Sequence, residues 1–129
     1  GDAIESWYHN SPNVNIDNTA KLRKYYLFGK NLLGFTHGSE ESLKKLPLLM
    51  PLEVPDLWAK SSYREWHTGH THRKFDTSEE GVLIRVLRAL AAPDSWTTSK
   101  GFNSLRAAES FLWQQKDGLL AQFTARPNE

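Results

Sequence analysis

The sequence contains no cysteine. Disulfides and cysteine-based zinc sites are therefore excluded, and a bound metal would have to be held by nitrogen and oxygen donors. No apolar run approaches the ~20 residues that a membrane-spanning helix needs. The opening residues, Gly1-Asp2-Ala3-Ile4-Glu5, lack the basic segment and apolar stretch of a signal peptide. Neither sign of charge dominates, with 16 Lys and Arg against 15 Asp and Glu. A strong sequence-independent nucleic-acid binder would usually be clearly basic. A nuclease is not excluded, because a metal can supply local positive charge. Internal repeats, low-complexity segments and dividing linkers are also lacking. Residues 1–129 therefore read as one domain, expected to be cytoplasmic. The absent initiator Met fits a fragment of a longer polypeptide.

Aromatic residues and histidines are well represented. The five tryptophans are expected to fill the core and its edges. The histidines concentrate in Trp66-His67-Thr68-Gly69-His70-Thr71-His72. Neutral imidazole is the commonest side-chain ligand for divalent transition metals. Histidines at i and i+2 in extended chain point to opposite faces, so they suit two neighbouring metals better than one. Gly69 allows an unusual backbone angle just before His70. His67 falls inside the expected strand, so it is assigned either to the shell behind the ligands or to the surface. Arg73 and Lys74 follow at once, either as a solvated turn or as holders of phosphate oxygens.

An upstream segment, Leu33-Gly34-Phe35-Thr36-His37-Gly38, ends an apolar strand in a single His. A strand-to-loop histidine, a helical segment, and then a strand ending in Gly-His-x-His form a specific order. It resembles the second half of the calcineurin-like metallophosphoesterases, and more narrowly their phage, prophage and nuclease-like members. In that family the motifs run Asp-x-His, Gly-Asp, Gly-Asn-His-Asp/Glu, a single His, then Gly-His-x-His. Thr36-His37-Gly38 matches the single His, and Gly69-His70-Thr71-His72 matches the last motif. The resemblance runs from Lys24 to about Phe123. Asp-x-His is missing, and the only Gly-Asp is Gly1-Asp2, which no Gly-Asn-His follows.

The resemblance implies an α/β chain forming the C-terminal half of a four-layer αββα sandwich, with a mixed sheet and short helices. It implies a site for two divalent metal ions, with His37 and His70 on one metal and His72 on the other. Manganese is the expected metal, with iron, zinc, nickel and magnesium as alternatives. The acidic ligands, the Asn and the His of the third motif are not in this chain. The implied enzyme is a phosphomonoesterase or phosphodiesterase, DNA-directed by analogy. This chain alone would bind metal weakly and hydrolyse little. Its expected partners are an N-terminal half of the same protein or a second copy, a phosphate-ester substrate and no membrane. Against this stands a non-enzymatic interaction or structural module whose histidines are incidental or hold a single metal. A nuclease of an unrelated histidine–metal type is less supported, since Asp76 is the only carboxylate closely following the cluster.

Local patterns predict the elements that carry these residues. A short helix is expected from Asp2 to Asn10 and a short strand over Val14–Asp17. A hairpin follows, with strands at Arg23–Phe28 and Leu32–Thr36 joined through Gly29-Lys30-Asn31. A helix starting at Ser39 and further short helices take up the prolines at 47, 51 and 55. Strands are expected at Tyr63–His67 and Gly81–Leu87, with a polar loop at Asp76–Glu80 between them. Residues 91–103 read as a loop and Ser104–Glu109 as a short helix or turn. A hairpin is expected around Lys116-Asp117-Gly118.

Overall fold

The computed structural model describes residues 2–38, 42–69, 75–79, 81–88 and 106–127. The chain is mixed α/β. Helix α1 (Asp2–Trp7) leads to the hairpin β1 (Arg23–Phe28) and β2 (Asn31–Thr36). Helices α2 (Leu46–Glu53) and α3 (Pro55–Lys60) precede β3 (Tyr63–Thr68). Strands β4 (Phe75–Glu79) and β5 (Val82–Val86) follow, and a second hairpin, β6 (Ala108–Gln114) and β7 (Gly118–Ala125), comes last.

Among the described residues, five strands form one sheet in the order β1-β2-β3-β5-β4, and β6-β7 form a separate two-stranded sheet. The inner strands β2, β3 and β5 run parallel, and both edge strands are antiparallel to their neighbours. Parallel neighbours need a crossover, and α2 with α3 supply it between β2 and β3.

One face of the sheet packs against α2. Leu32, Trp66, Val82 and Ile84 meet Leu46 and Met50 there, all six fully buried. Each such side chain contributes roughly 1.5–3 kcal/mol of transfer free energy. Gly34 sits opposite Trp66 in the register, and a Cβ on Gly34 would fall 2.6 Å from the indole. The indole occupies the space that a side chain at 34 would fill, and its Nε1 donates to the Leu46 carbonyl at 2.8 Å. Strand β3 is thereby tied to the start of α2.

The opposite face carries Leu33, Phe35, Glu65, His67 and Arg85, by alternation along each strand. The β6–β7 hairpin lies against this face. Phe111 meets the His67 ring at 4.9 Å, and the Lys30 amide donates to the Gln115 carbonyl. Asn31 Nδ2 donates to the carbonyls of Phe28 and Gln114, which joins the two hairpin turns.

Several expectations change. Residues 14–17 form no strand; Val14 is exposed, and Asp17 instead closes a local turn by accepting from the Thr19 amide and hydroxyl. The polar segment expected as a loop contains β4, because an edge strand bonds through its backbone on one side and tolerates polar residues. Ala108 and Glu109 belong to β6 rather than to a helix. Pro51 lies inside α2, beyond the first turn, and the helix continues through the Val54 amide to the Met50 carbonyl. The helix start expected at Ser39 and the loop at 91–103 lie outside the described residues. Both hairpins form where expected, the second with Gly118 at φ 86°.

Candidate metal site

Strands β2 and β3 are paired in parallel from Asn31↔Tyr63 to Thr36↔Thr68. Both chains therefore leave the sheet at the same edge and at the same level. The next residues are His37 and Gly69. The Gly69 amide donates to the His37 carbonyl at 3.2 Å, and the Thr68 hydroxyl donates to the same oxygen at 3.2 Å. The Leu87 amide donates to the Thr68 carbonyl at 2.8 Å, so the exit of β5 joins them. In open α/β sheets, ligands bind in the crevice outside the carboxyl ends of such strands.

Gly38 turns the chain after His37. Its φ is +92°, and a Cβ would come 2.3 Å from the Thr68 hydroxyl. This turn thus requires glycine twice over, for conformation and for space. His37 itself is exposed. A cleft of ≈ 550 Å³ opens at this edge, lined by Lys21, Lys24, His37, His67, Thr68 and Arg88 among others. Lys24 is positioned by Asp17, donating to its carbonyl at 2.6 Å and lying 3.4 Å from its carboxylate. Asp17 is held down to about 2, first by the Thr19 hydroxyl and amide and then by Lys24.

Of the site residues expected from the sequence, His37 and His67 line this one cleft. His70, His72, Arg73 and Lys74 lie outside the described residues. His67 is not on the surface; it is 7% exposed. Its Nε2 lies 2.5 Å from Glu65 Oε2, and Arg85 Nε donates to that same oxygen at 2.7 Å. Phe35, Phe111 and Trp113 surround the ring at centroid distances of 5.5, 4.9 and 6.3 Å. From Arg85 the polar chain continues to Gln122, then to Glu109, which also accepts from the Arg88 amide.

Sequence reasoning did not single out Glu65 or Arg85. A signal was present in both. Glu65 and His67 share a strand face at i and i+2, and Arg85 is the lone charge inside the apolar run of β5. Neither says that the two positions meet until the β3–β5 pairing places Arg85 beside His67.

Among the described residues no three His, Cys, Asp or Glu side chains converge as a metal cluster. The donors that do reach the cleft, His37 and His67, are imidazoles, which suit zinc, copper, iron and nickel and leave the charge of a cation uncompensated. Compared with known proteins, the chain matches no family model, no curated protein and no solved structure.

Proposed function

We propose that the chain is the C-terminal half of a metal-dependent phosphoesterase and contributes histidine ligands to a site for two divalent metal ions. The reading is carried by one observation: His37 and Gly69 leave adjacent parallel strands at the same edge and are bonded to each other there. His70 follows Gly69 directly in sequence. The histidine of one motif and the start of the Gly-His-x-His motif thus share a cleft rim. His37, His70 and His72 are the proposed ligands.

Two such metals, when bound, would polarise a phosphoryl oxygen and lower the pKa of a bound water. The residues of this chain do the rest. His37 supplies an imidazole nitrogen donor at the rim. Lys21, Lys24 and Arg88 give the cleft positive charge that attracts a phosphate ester. Arg73 and Lys74, next to His72 in sequence, are proposed to hold phosphate oxygens. Manganese is the proposed metal. Carboxylate ligands would come from an N-terminal segment, so the chain alone binds metal weakly. A phosphodiester in DNA is the proposed substrate.

The same segment is the proposed partner of the sheet face that bears β6–β7. Tyr26 and Phe35 on that face, and Leu112, Leu120 and Phe123 on the hairpin, are large apolar side chains left exposed. Exposed apolar side chains of this kind are what such a partner would cover.

The test is to express the chain with the polypeptide its gene encodes upstream, and to measure manganese-dependent hydrolysis of bis(p-nitrophenyl) phosphate. The proposal expects an upstream Asp-x-His and Gly-Asn-His-Asp/Glu. It also expects activity that falls at least a hundredfold in His37→Ala and His70→Ala. Absence of those motifs, or activity indifferent to both histidines, would return the chain to the class of binding modules.

A further inference from the structure

The cleft at the β2–β3 edge has a second character, which the histidine motifs do not use. Among the described residues no carboxylate lines it, whereas Lys21, Lys24 and Arg88 do. Leu22, Phe35 and Leu87 supply an apolar wall beside them. Leu22 is 67% exposed and Phe35 41%, so this wall faces the cleft and not the core. An apolar, aromatic wall with a few charged groups of one sign fits a ligand that has a flat apolar part and negative charge.

The sheet register sets these groups in a row. Lys24 is paired with Phe35, Phe35 with His67, and His67 with Arg85. Paired residues point to the same face of a sheet, so the phenyl ring stands between the Lys24 side chain and the His67 imidazole. The imidazole meets the ring at a centroid distance of 5.5 Å and a tilt of 57°. His67 is itself tied to Glu65, and Phe111 and Trp113 of the hairpin cover it. Phe35 is therefore held in place without being covered. Tyr26, also exposed on this face, is paired with Leu33 and does not line the cleft.

We propose that this cleft binds single-stranded nucleic acid without the help of a metal, with Phe35 as the stacking platform for one base and Lys21, Lys24 and Arg88 against the flanking phosphates. The proposal deepens the substrate side of the phosphoesterase reading and rests on that reading for what becomes of the bound strand. Every base has a π-face, and proteins that bind single strands combine a cationic groove with aromatic side chains for those faces. A base inside a duplex is stacked on its neighbours and has no free face to offer Phe35. The cations stand at opposite ends of the cleft. Lys21 and Lys24 lie on the β1 side, and Arg88 lies past the end of β5, three strand positions away. At ~4.8 Å per strand this is roughly 14 Å. One phosphate does not meet both ends, whereas successive phosphates on either side of a stacked base do. Asp17 lies 3.4 Å from the Lys24 ammonium and offsets part of its charge, so Lys21 and Arg88 carry the larger share. With 16 Lys and Arg against 15 Asp and Glu in the whole chain, the attraction is local to the cleft, and binding is modest and salt-dependent. The plainer reading leaves Phe35 to the partner segment and the cations to solvent, and it predicts that the bases of a strand make no difference.

The test is fluorescence anisotropy of a short labelled oligothymidylate with the 129-residue chain in EDTA, repeated with oligouridylate, with an abasic strand of equal phosphate count and with a duplex. The proposal expects binding of a strand of either sugar, and binding of the abasic strand at least fivefold weaker. Phe35→Leu keeps apolar bulk without the ring. It should weaken the oligothymidylate roughly five- to a hundredfold, leave the abasic strand and the duplex unaffected and keep the melting temperature, while Phe35→Tyr retains binding. The logarithm of affinity should fall against that of salt with a slope of about −1.4 to −2.1, for two or three phosphates, and Lys21→Gln with Arg88→Gln should take about 1.4 off it. Equal affinity for the abasic strand overturns the proposal, as does no binding of either sugar at low salt. Loss of duplex binding in Phe35→Leu equal to the loss for the single strand also overturns it. Base-dependent binding in EDTA, with no hydrolysis by the longer protein, leaves the proposal standing and removes the phosphoesterase reading. Manganese-dependent hydrolysis of bis(p-nitrophenyl) phosphate with no strand binding does the reverse.

Discussion

The Gly69 amide and the His37 carbonyl are joined by a 3.2 Å hydrogen bond one residue beyond the last paired positions of β2 and β3. The parallel ladder therefore extends one residue past the strands, to His37 and Gly69. Strand ends fixed to each other in this way hold His37 and Gly69 in register, which is what a metal or phosphate site demands of its scaffold. The Thr68 hydroxyl, bonded to the same carbonyl, adds a second restraint.

That rim depends on Gly38. Alanine there would have to adopt a φ of +92° and place Cβ 2.3 Å from the Thr68 hydroxyl. Gly38→Ala is expected to cost roughly 1–3 kcal/mol of stability, seen as a lower urea midpoint. It should also weaken zinc binding, because the His37 loop must move to make room. Unchanged stability and affinity would show that the loop is not held as described.

The buried charges predict an asymmetric response to mutation. Arg85→Met leaves Glu65 facing His67 without its guanidinium, and removing one member of a buried ion pair costs about 3–5 kcal/mol. The double variant Glu65→Leu/Arg85→Met removes both charges and should recover part of that loss. Thermal unfolding of the three proteins measures it. Equal losses in single and double variants would mean that the pair is not coupled.

The pH dependence has two limbs. At the acid end, the Arg23 guanidinium bonded to Glu53 holds that carboxyl below its ordinary range, and Asp17 is held to about 2. A carboxyl depressed in the folded state contributes stability above its unfolded pKa and loses it as pH falls through the folded one. The urea midpoint should therefore decline from about pH 4 toward pH 2, and less steeply in Arg23→Gln. At the alkaline end, burial and a hydrogen bond to Glu53 push the Tyr25 hydroxyl above its ordinary value of 10.0. A group raised in the folded state loses its contribution as pH climbs past the unfolded value. Stability should fall above about pH 10, and Tyr25→Phe should flatten that limb.

The exposed apolar residues of the hairpin face predict association. Light scattering on the purified chain is expected to report a dimer or a retained fragment, and Leu112→Glu with Phe123→Glu should convert it to a monomer. A monodisperse monomer of the unaltered chain would count against the partner reading.

Much of the scaffold was legible in the sequence. Apolar runs at Arg23–Phe28, Val82–Val86 and the two hairpin turns read correctly because their patterns are local. Segments whose structure depends on distant partners did not. Residues 76–80 look like loop because Asp and Glu disfavour strands and no large apolar side chain falls among them, and only pairing with β5 makes 76–79 part of a strand. Residues 14–17 alternate like a strand but find no neighbour. At the site, His37 is marked by its place at a strand end, whereas the sequence leaves His67 open between a place behind the ligands and the surface, and its burial removes the second. Its burial comes from Phe111 and Trp113, more than forty residues away in sequence, and no local pattern announces that contact. Glu65 and Arg85 were missed for the same reason.

One measurement tests the central claim most directly: paramagnetic broadening of the chain's amide and imidazole resonances by substoichiometric Mn²⁺. The account predicts that His37, Gly69 and His67 broaden first and together, and that His37→Ala weakens the effect. Broadening confined to the acidic group on α1, Asp2, Glu5 and the nearby His9, would contradict it. So would uniform broadening with no preference for the β2–β3 edge.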